Sequence, residues 1–192
     1  MDGNNFYTLR KMKKYWATIP TNIRNFLIKI LVLFLIWKVS YHAYIKPNRL
    51  LDVPLTNITT KATVSILQLF PRFTQVYWLP KMPPNNFDLY GANVMIDGKK
   101  VIGIFDPCNA LELYVLYIAF LVCLSTTLKR QIFFIAIGIA FIFTLNVLRC
   151  SGLVWFRFYS NQWFDFAHHY LFSLVVYAAI FLLWIKYSKA IQ

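Results

Sequence analysis

A thiol, a guanidinium and an imidazole pair stand at the margins of three apolar runs in this sequence. Cys108 follows Asp106-Pro107 at the head of one run, Arg149 closes the next in Asn146-Val147-Leu148-Arg149, and His168-His169 open another in Asp165-Phe166-Ala167-His168-His169. Together they are a sufficient set for acyl transfer. The sulfur attacks a carbonyl, the imidazole moves the proton, and the guanidinium holds the developing oxyanion.

Each residue has a plain alternative. Asp106 can cap a helix and Pro107 suits a first helical position, which predicts Cys108 in a first turn where the helix dipole and unpaired amides favour a thiolate. The plain role for a cysteine is that of Cys123, a small apolar side chain in the middle of a run. Arg149 is a boundary cation, costly to bury; the competing role is snorkelling to lipid head groups. Asn146, three residues earlier on the same helical face, is expected to hold the guanidinium by a hydrogen bond. Glu112, the only glutamate, is placed one turn below Cys108 and is expected to pair with Arg149. The two histidines lie about 100° apart around a helix, so one of them faces the cysteine and arginine. That helix is apolar all round, and periodicity does not choose between them. Asp165 can orient either ring, and the plain role for the pair is an interfacial aromatic belt with Trp163 and Tyr170.

The elements that position these groups are membrane helices. Of 192 residues 59% are hydrophobic and only 14% charged, more apolar surface than one soluble core of this size needs. The formal charge of +13 comes from short basic clusters beside apolar runs rather than from one basic face, which argues against a nucleic-acid partner. Four spanning helices are predicted, at residues 25–44, 109–128, 131–148 and 167–185. The first contains Lys29 and Lys38, is longer than a signal-peptide core and has no small-residue cleavage site after it, so it is expected to remain as an anchor.

Basic clusters at Arg10 to Arg24, Lys129-Arg130 and Lys186 to Lys189 share one face after four crossings, and the positive-inside rule makes that face cytoplasmic. Cys108, Arg149 and the histidines then all fall on the outer side. The predicted organisation is a basic cytoplasmic N-terminus (1–24), a transmembrane anchor (25–44), an outer-face segment (45–107), a three-helix catalytic membrane core (108–185) and a basic tail (186–192). Within the outer segment, residues 62–79 read as an interfacial or re-entrant element, and Pro80, Pro83 and Pro84 as a linker. Asp97-Gly98 between Val94-Met95-Ile96 and Val101-Ile102 predicts a β-hairpin, the one piece of β-structure in an otherwise all-α, polytopic fold.

From about Gly91 onward the chain resembles the exosortase/archaeosortase family of membrane cysteine transpeptidases, most closely the short forms found in Bacteroidetes. The resemblance rests on order and spacing: a cysteine at the outer start of one helix, Asn146-x-x-Arg149 at the end of the next, and a histidine at the start of another. The run His169-Tyr170-Leu171-Phe172-Ser173 is similar to the family's His-x-x-aromatic-small pattern and selects His169. The usual Cys-Ser-Gly context reads here Cys108-Asn109-Ala110, whereas a literal Cys150-Ser151-Gly152 follows the arginine directly.

The resemblance implies a Cys108, Arg149, His169 site on the extracytoplasmic face of the plasma (inner) membrane. It would cleave exported proteins near a C-terminal tripartite signal (a short motif, a membrane helix and a basic tail) and transfer the new end to an acceptor. No cofactor or metal motif is visible, and such chemistry requires none. Two other classes compete: a non-enzymatic scaffold with a Cys108–Cys150 disulfide, and a small transporter or lipid-handling subunit in which Arg149 and Glu112 line a path.

Overall fold

The structure, a computed structural model, describes residues 18–73, 75–81, 90–124 and 127–190. Helix α1 (Thr21–Ser40) continues through a π-helical turn, Tyr41–Ile45, and buries none of its residues. An Ile-, Leu- and Val-rich helix with so little protein around it is built for lipid. Thr21–Ile45, Leu128–Tyr159 and Phe164–Lys189 are the three helices long and apolar enough to cross a membrane among the described residues.

The predicted crossing at 109–128 is shorter than expected. Its helix, α3 (Leu111–Cys123), has 13 residues, about 20 Å against a hydrocarbon layer of roughly 30 Å. On its N-terminal side the chain forms a 3-10 turn, Asp106–Cys108. The next helix errs the other way. Helix α4 (Leu128–Tyr159) runs for 32 residues, past Arg149 and on to Tyr159, so Arg149 lies inside a helix and not at its end. The extension holds no proline, and Leu153 and Val154 within it are buried, which keeps the helix going. After it come a 3-10 turn (Asn161–Trp163), a helical turn (Phe164–Phe166), a π-helical turn (Ala167–Leu171) and α5 (Phe172–Ala190).

The outer segment is more structured than the sequence suggests. Helix α2 (Asp52–Leu67) starts ten residues before the expected interfacial element and packs on α4 and the sheet. It buries Asp52, Thr56, Thr59, Thr60, Thr63, Val64 and Leu67, a stripe at helical spacing in which four of seven side chains are hydroxyls. Beyond it lie a 3-10 turn (Pro71–Phe73) and strand β1 (Val76–Lys81). The lone hairpin thus becomes a three-stranded antiparallel sheet, β1-β2-β3, with β2 Gly91–Ile96 and β3 Lys99–Phe105. Pro80, expected in a linker, pairs opposite Ala92. It is tolerated because β1 is an edge strand. Pro83 and Pro84 lie outside the described residues. Asp97 (φ 51°) and Gly98 (φ 74°) make the β2–β3 turn, both in the left-handed region that a two-residue hairpin requires.

Two cores result. The first joins Val94, Ile96, Ile102 and Ile104 of the sheet to Val64 and Leu67 of α2 and to Cys150, Leu153 and Val154 of α4. The second packs Tyr117 and Leu121 of α3 against Ile142 of α4 and Val176 and Ile180 of α5. There the Tyr117 ring occupies the space a side chain at Gly138 would need, and its hydroxyl donates to the Phe134 carbonyl at 2.9 Å. Phe120 stacks on Trp184 (4.4 Å) and meets Phe26 edge-on (5.4 Å), which brings α1 onto the bundle. The candidate site lies where the Asp106–Cys108 turn meets α2 and α4.

Candidate active site

Cys108 is half-buried and ends the Asp106–Cys108 turn; α3 begins only at Leu111. The expected first-turn placement is therefore replaced by a turn ahead of the helix. Nor does Asp106 cap α3. Its Oδ2 accepts the Tyr90 amide at 2.8 Å and its Oδ1 accepts the Thr56 hydroxyl at 3.3 Å, while its own amide donates to the Tyr90 carbonyl at 3.0 Å. Burial pushes its carboxyl above the ordinary range, with Asp52 adding to this and the Tyr90 and Thr56 donors and Arg49 opposing it.

The cap of α3 comes from Asn109. This residue is 1% exposed, and its Oδ1 accepts the Leu111 amide at 2.9 Å, an Asx-type bond to the second residue on. Its Nδ2 donates to Asp52 Oδ1 and to Thr56 Oγ1, both at 3.3 Å. Ala110 then adopts φ 63°. This is a left-handed conformation that glycine adopts more readily than alanine.

Asn146 is also 1% exposed, and its Nδ2 donates to the Cys108 carbonyl at 2.8 Å. Its partner is the cysteine turn, not the Arg149 guanidinium expected from spacing. Glu112 differs as well. It pairs with Lys38 of α1 at 2.6 Å, largely exposed, so its expected pairing with Arg149 is replaced by a surface contact of small energetic weight. Arg149 is left with a buried Nε that has no hydrogen-bond partner. It lines a cavity of about 390 Å³ whose wall also includes Pro107 and Asn109 on either side of Cys108, Tyr41 of α1, and Tyr177 of α5.

The histidines sit in the π-helical turn Ala167–Leu171. His168 is half-buried, stacked on Phe164 (5.9 Å, 2°) and within electrostatic reach of Arg149; His169 is exposed and meets the His168 ring edge-on at 4.8 Å. Asp165 is exposed and forms no hydrogen bond to either ring among the described residues.

The literal Cys150-Ser151-Gly152 packs α4 instead of opening a site. Cys150 is 1% exposed with its sulfur against the Thr63 hydroxyl, Ser151 donates to the Val147 carbonyl at 2.9 Å, and the Phe172 ring rests where a Gly152 side chain would be. Cys108 packs against the same core as Cys150, and both are free thiols. Among the described residues no three His, Cys, Asp or Glu side chains are grouped to hold a metal ion.

Asp52, Thr56, Tyr90 and Asn109 are the members of this site that sequence reasoning missed. The available signal was Asp52, one of only seven acidic residues in the chain.

The family model described as Transmembrane exosortase (Exosortase_EpsH) matches residues 16–185. Neither a curated protein nor a solved structure matches the chain.

Proposed function

The chain belongs to the transmembrane exosortase family, and from that membership we propose a Cys108, Arg149, His169 transpeptidase site at the extracytoplasmic face of the plasma (inner) membrane. The family is in general one of membrane cysteine transpeptidases that act on exported proteins carrying sorting signals. The observation that carries the residue assignment is Arg149 on the wall of the cavity that also takes in Pro107 and Asn109, the two neighbours of the half-buried Cys108, with the Arg149 Nε buried and unpartnered. A buried donor without an acceptor is costly, and a substrate oxyanion is the acceptor that would complete it.

In this reading the Cys108 thiol gives its proton to the imidazole and the sulfur attacks the scissile carbonyl carbon. The π electrons move to the oxygen, which Arg149 stabilises. Collapse breaks the C–N bond, the imidazolium protonates the leaving amine, and a thioester remains on Cys108. An acceptor nucleophile, deprotonated by the same imidazole, then attacks the thioester and releases the thiolate. Substrates with a tripartite C-terminal signal suit this placement, because their membrane helix would share the bilayer and hold the cleavage motif just outside it. In this reading four crossings, with residues 109–128 as the second, leave residues 45–107 and the site outside and both termini in the cytoplasm.

The resemblance assigns the base to His169. A second assignment, His168, is favoured by its partial burial beside Phe164 and by its lying within electrostatic reach of Arg149.

The deciding experiment compares Cys108→Ala with Cys150→Ser in cells making an exported protein with such a signal. Cys108→Ala is expected to abolish processing and the hydroxylamine-sensitive thioester adduct, with Cys150→Ser retaining both. Processing that survives Cys108→Ala rejects the site, and loss confined to Cys150→Ser moves the nucleophile.

A further inference from the structure

Asp52 is the first residue of α2 and 3% exposed, yet its carboxylate does not cap its own helix. Both oxygens reach across to other elements. Oδ2 accepts the Tyr41 hydroxyl of α1 at 3.0 Å, and Oδ1 accepts the side-chain amide of Asn109, the residue after Cys108, at 3.3 Å. A buried carboxylate is an expensive way to fill space, since an apolar side chain of the same size would avoid the desolvation cost. The Asn109 amide it holds is the point at which the turn carrying Cys108 is fixed on the α2 side, just as Asn146 fixes it on the α4 side.

We propose that Asp52 is a positioning residue for the nucleophile, acting through Asn109 and braced by Tyr41. The proposal rests on Cys108 being the nucleophile. It gives the outer segment a part in catalysis: α2 sets the orientation of the Asp106–Asn109 turn, and the π-helical end of α1 supplies the hydroxyl that keeps the carboxylate in place. A placement error of about 1 Å in a nucleophile costs on the order of 10²-fold in rate. Asp52 needs no proton transfer for this, because hydrogen-bond geometry alone does the positioning. An asparagine can preserve that geometry, its carbonyl accepting from Asn109 and its amide donating to the Tyr41 oxygen.

The test compares Asp52→Leu, Asp52→Asn and the unmodified protein, with processing rates divided by the amount of alkylatable Cys108 so that unfolded protein does not count. Asp52→Leu is expected to lower kcat about 10- to 100-fold with KM within threefold, and to change the rate at which iodoacetamide modifies Cys108. Asp52→Asn is expected to keep at least a third of the activity and the original alkylation rate. Full activity per active site in Asp52→Leu overturns the proposal. So does Asp52→Asn being as slow as Asp52→Leu, since charge and not geometry would then be what Asp52 supplies. Cys108→Ala in the same assay separates the two levels. If that variant still processes substrate, the assignment of the nucleophile has failed, and the alkylation rates then decide by themselves whether Asp52 positions the turn.

Discussion

The side-chain amide of Asn146 donates a 2.8 Å hydrogen bond to the backbone carbonyl of Cys108. Asn146 stands one helical turn before Arg149 on α4, so one rigid helix fixes both the peptide unit of the cysteine and the base of the arginine. Helices hold such geometry better than loops do, and the reach of a guanidinium to a substrate bound on the sulfur is set by this pairing.

Removal of that donor leaves a carbonyl oxygen unpaired, an effect of about 1–3 kcal/mol when the site is buried. Asn146→Ala is expected to slow processing about tenfold or more and to lower the thermal midpoint. The rate per alkylatable Cys108 is the measurement, and a rate equal to that of the unmodified protein would contradict the role given to the bond.

The histidine assignments separate by rate. With His169 as the base, His169→Ala loses about 10²-fold and His168→Ala little; with His168 as the base the order reverses. Arg149→Lys is expected to be impaired by about 10²-fold in either case, because an ammonium cannot reproduce the planar fork of donors. Processing that is unaffected in both histidine variants would remove His168 and His169 from the mechanism.

Topology is tested at Lys99, exposed in the β2–β3 hairpin. In a Cys108→Ala background, Lys99→Cys is expected to react with a membrane-impermeant maleimide in intact cells. Labelling seen only after lysis would place the sheet in the cytoplasm and invert the orientation.

Asp106 gives a pH signature. Burial raises its carboxyl, so the folded protein holds the proton more tightly than the unfolded chain. Its contribution to stability is then complete below the ordinary value of about 3.9 and is lost as pH rises through the raised value. Against Asp106→Asn, the stability of the unmodified protein is expected to fall as pH rises from the ordinary carboxylate value through the raised one and to level off above it. Thermal midpoints over that range decide the matter, and a relative stability that rises with pH would contradict the burial account.

The sequence by itself determined the membrane character, the Asp97-Gly98 hairpin and the candidate trio, because each depends on local properties. Long apolar runs need lipid, a positive-φ pair needs a two-residue turn, and a thiol, guanidinium and imidazole at run margins need no neighbour to be noticed. Helix α2 was hidden because the stripe it buries is mainly threonine and aspartate, and hydropathy registers such residues as exposed. The length of α4 beyond Arg149 was hidden for a related reason: its last turns are held by contacts with α2 and the sheet that lie far away in sequence.

The partners of the polar groups were decided only by tertiary structure. Spacing along one helix offered Asn146 to Arg149, and a place one turn below Cys108 offered Glu112, but Asn146 is used by the Cys108 carbonyl and Glu112 by Lys38, 74 residues away. A hydrogen bond goes to whichever donor or acceptor the fold brings within about 3 Å. For Asn109 that partner is Asp52, 57 residues earlier and on another helix.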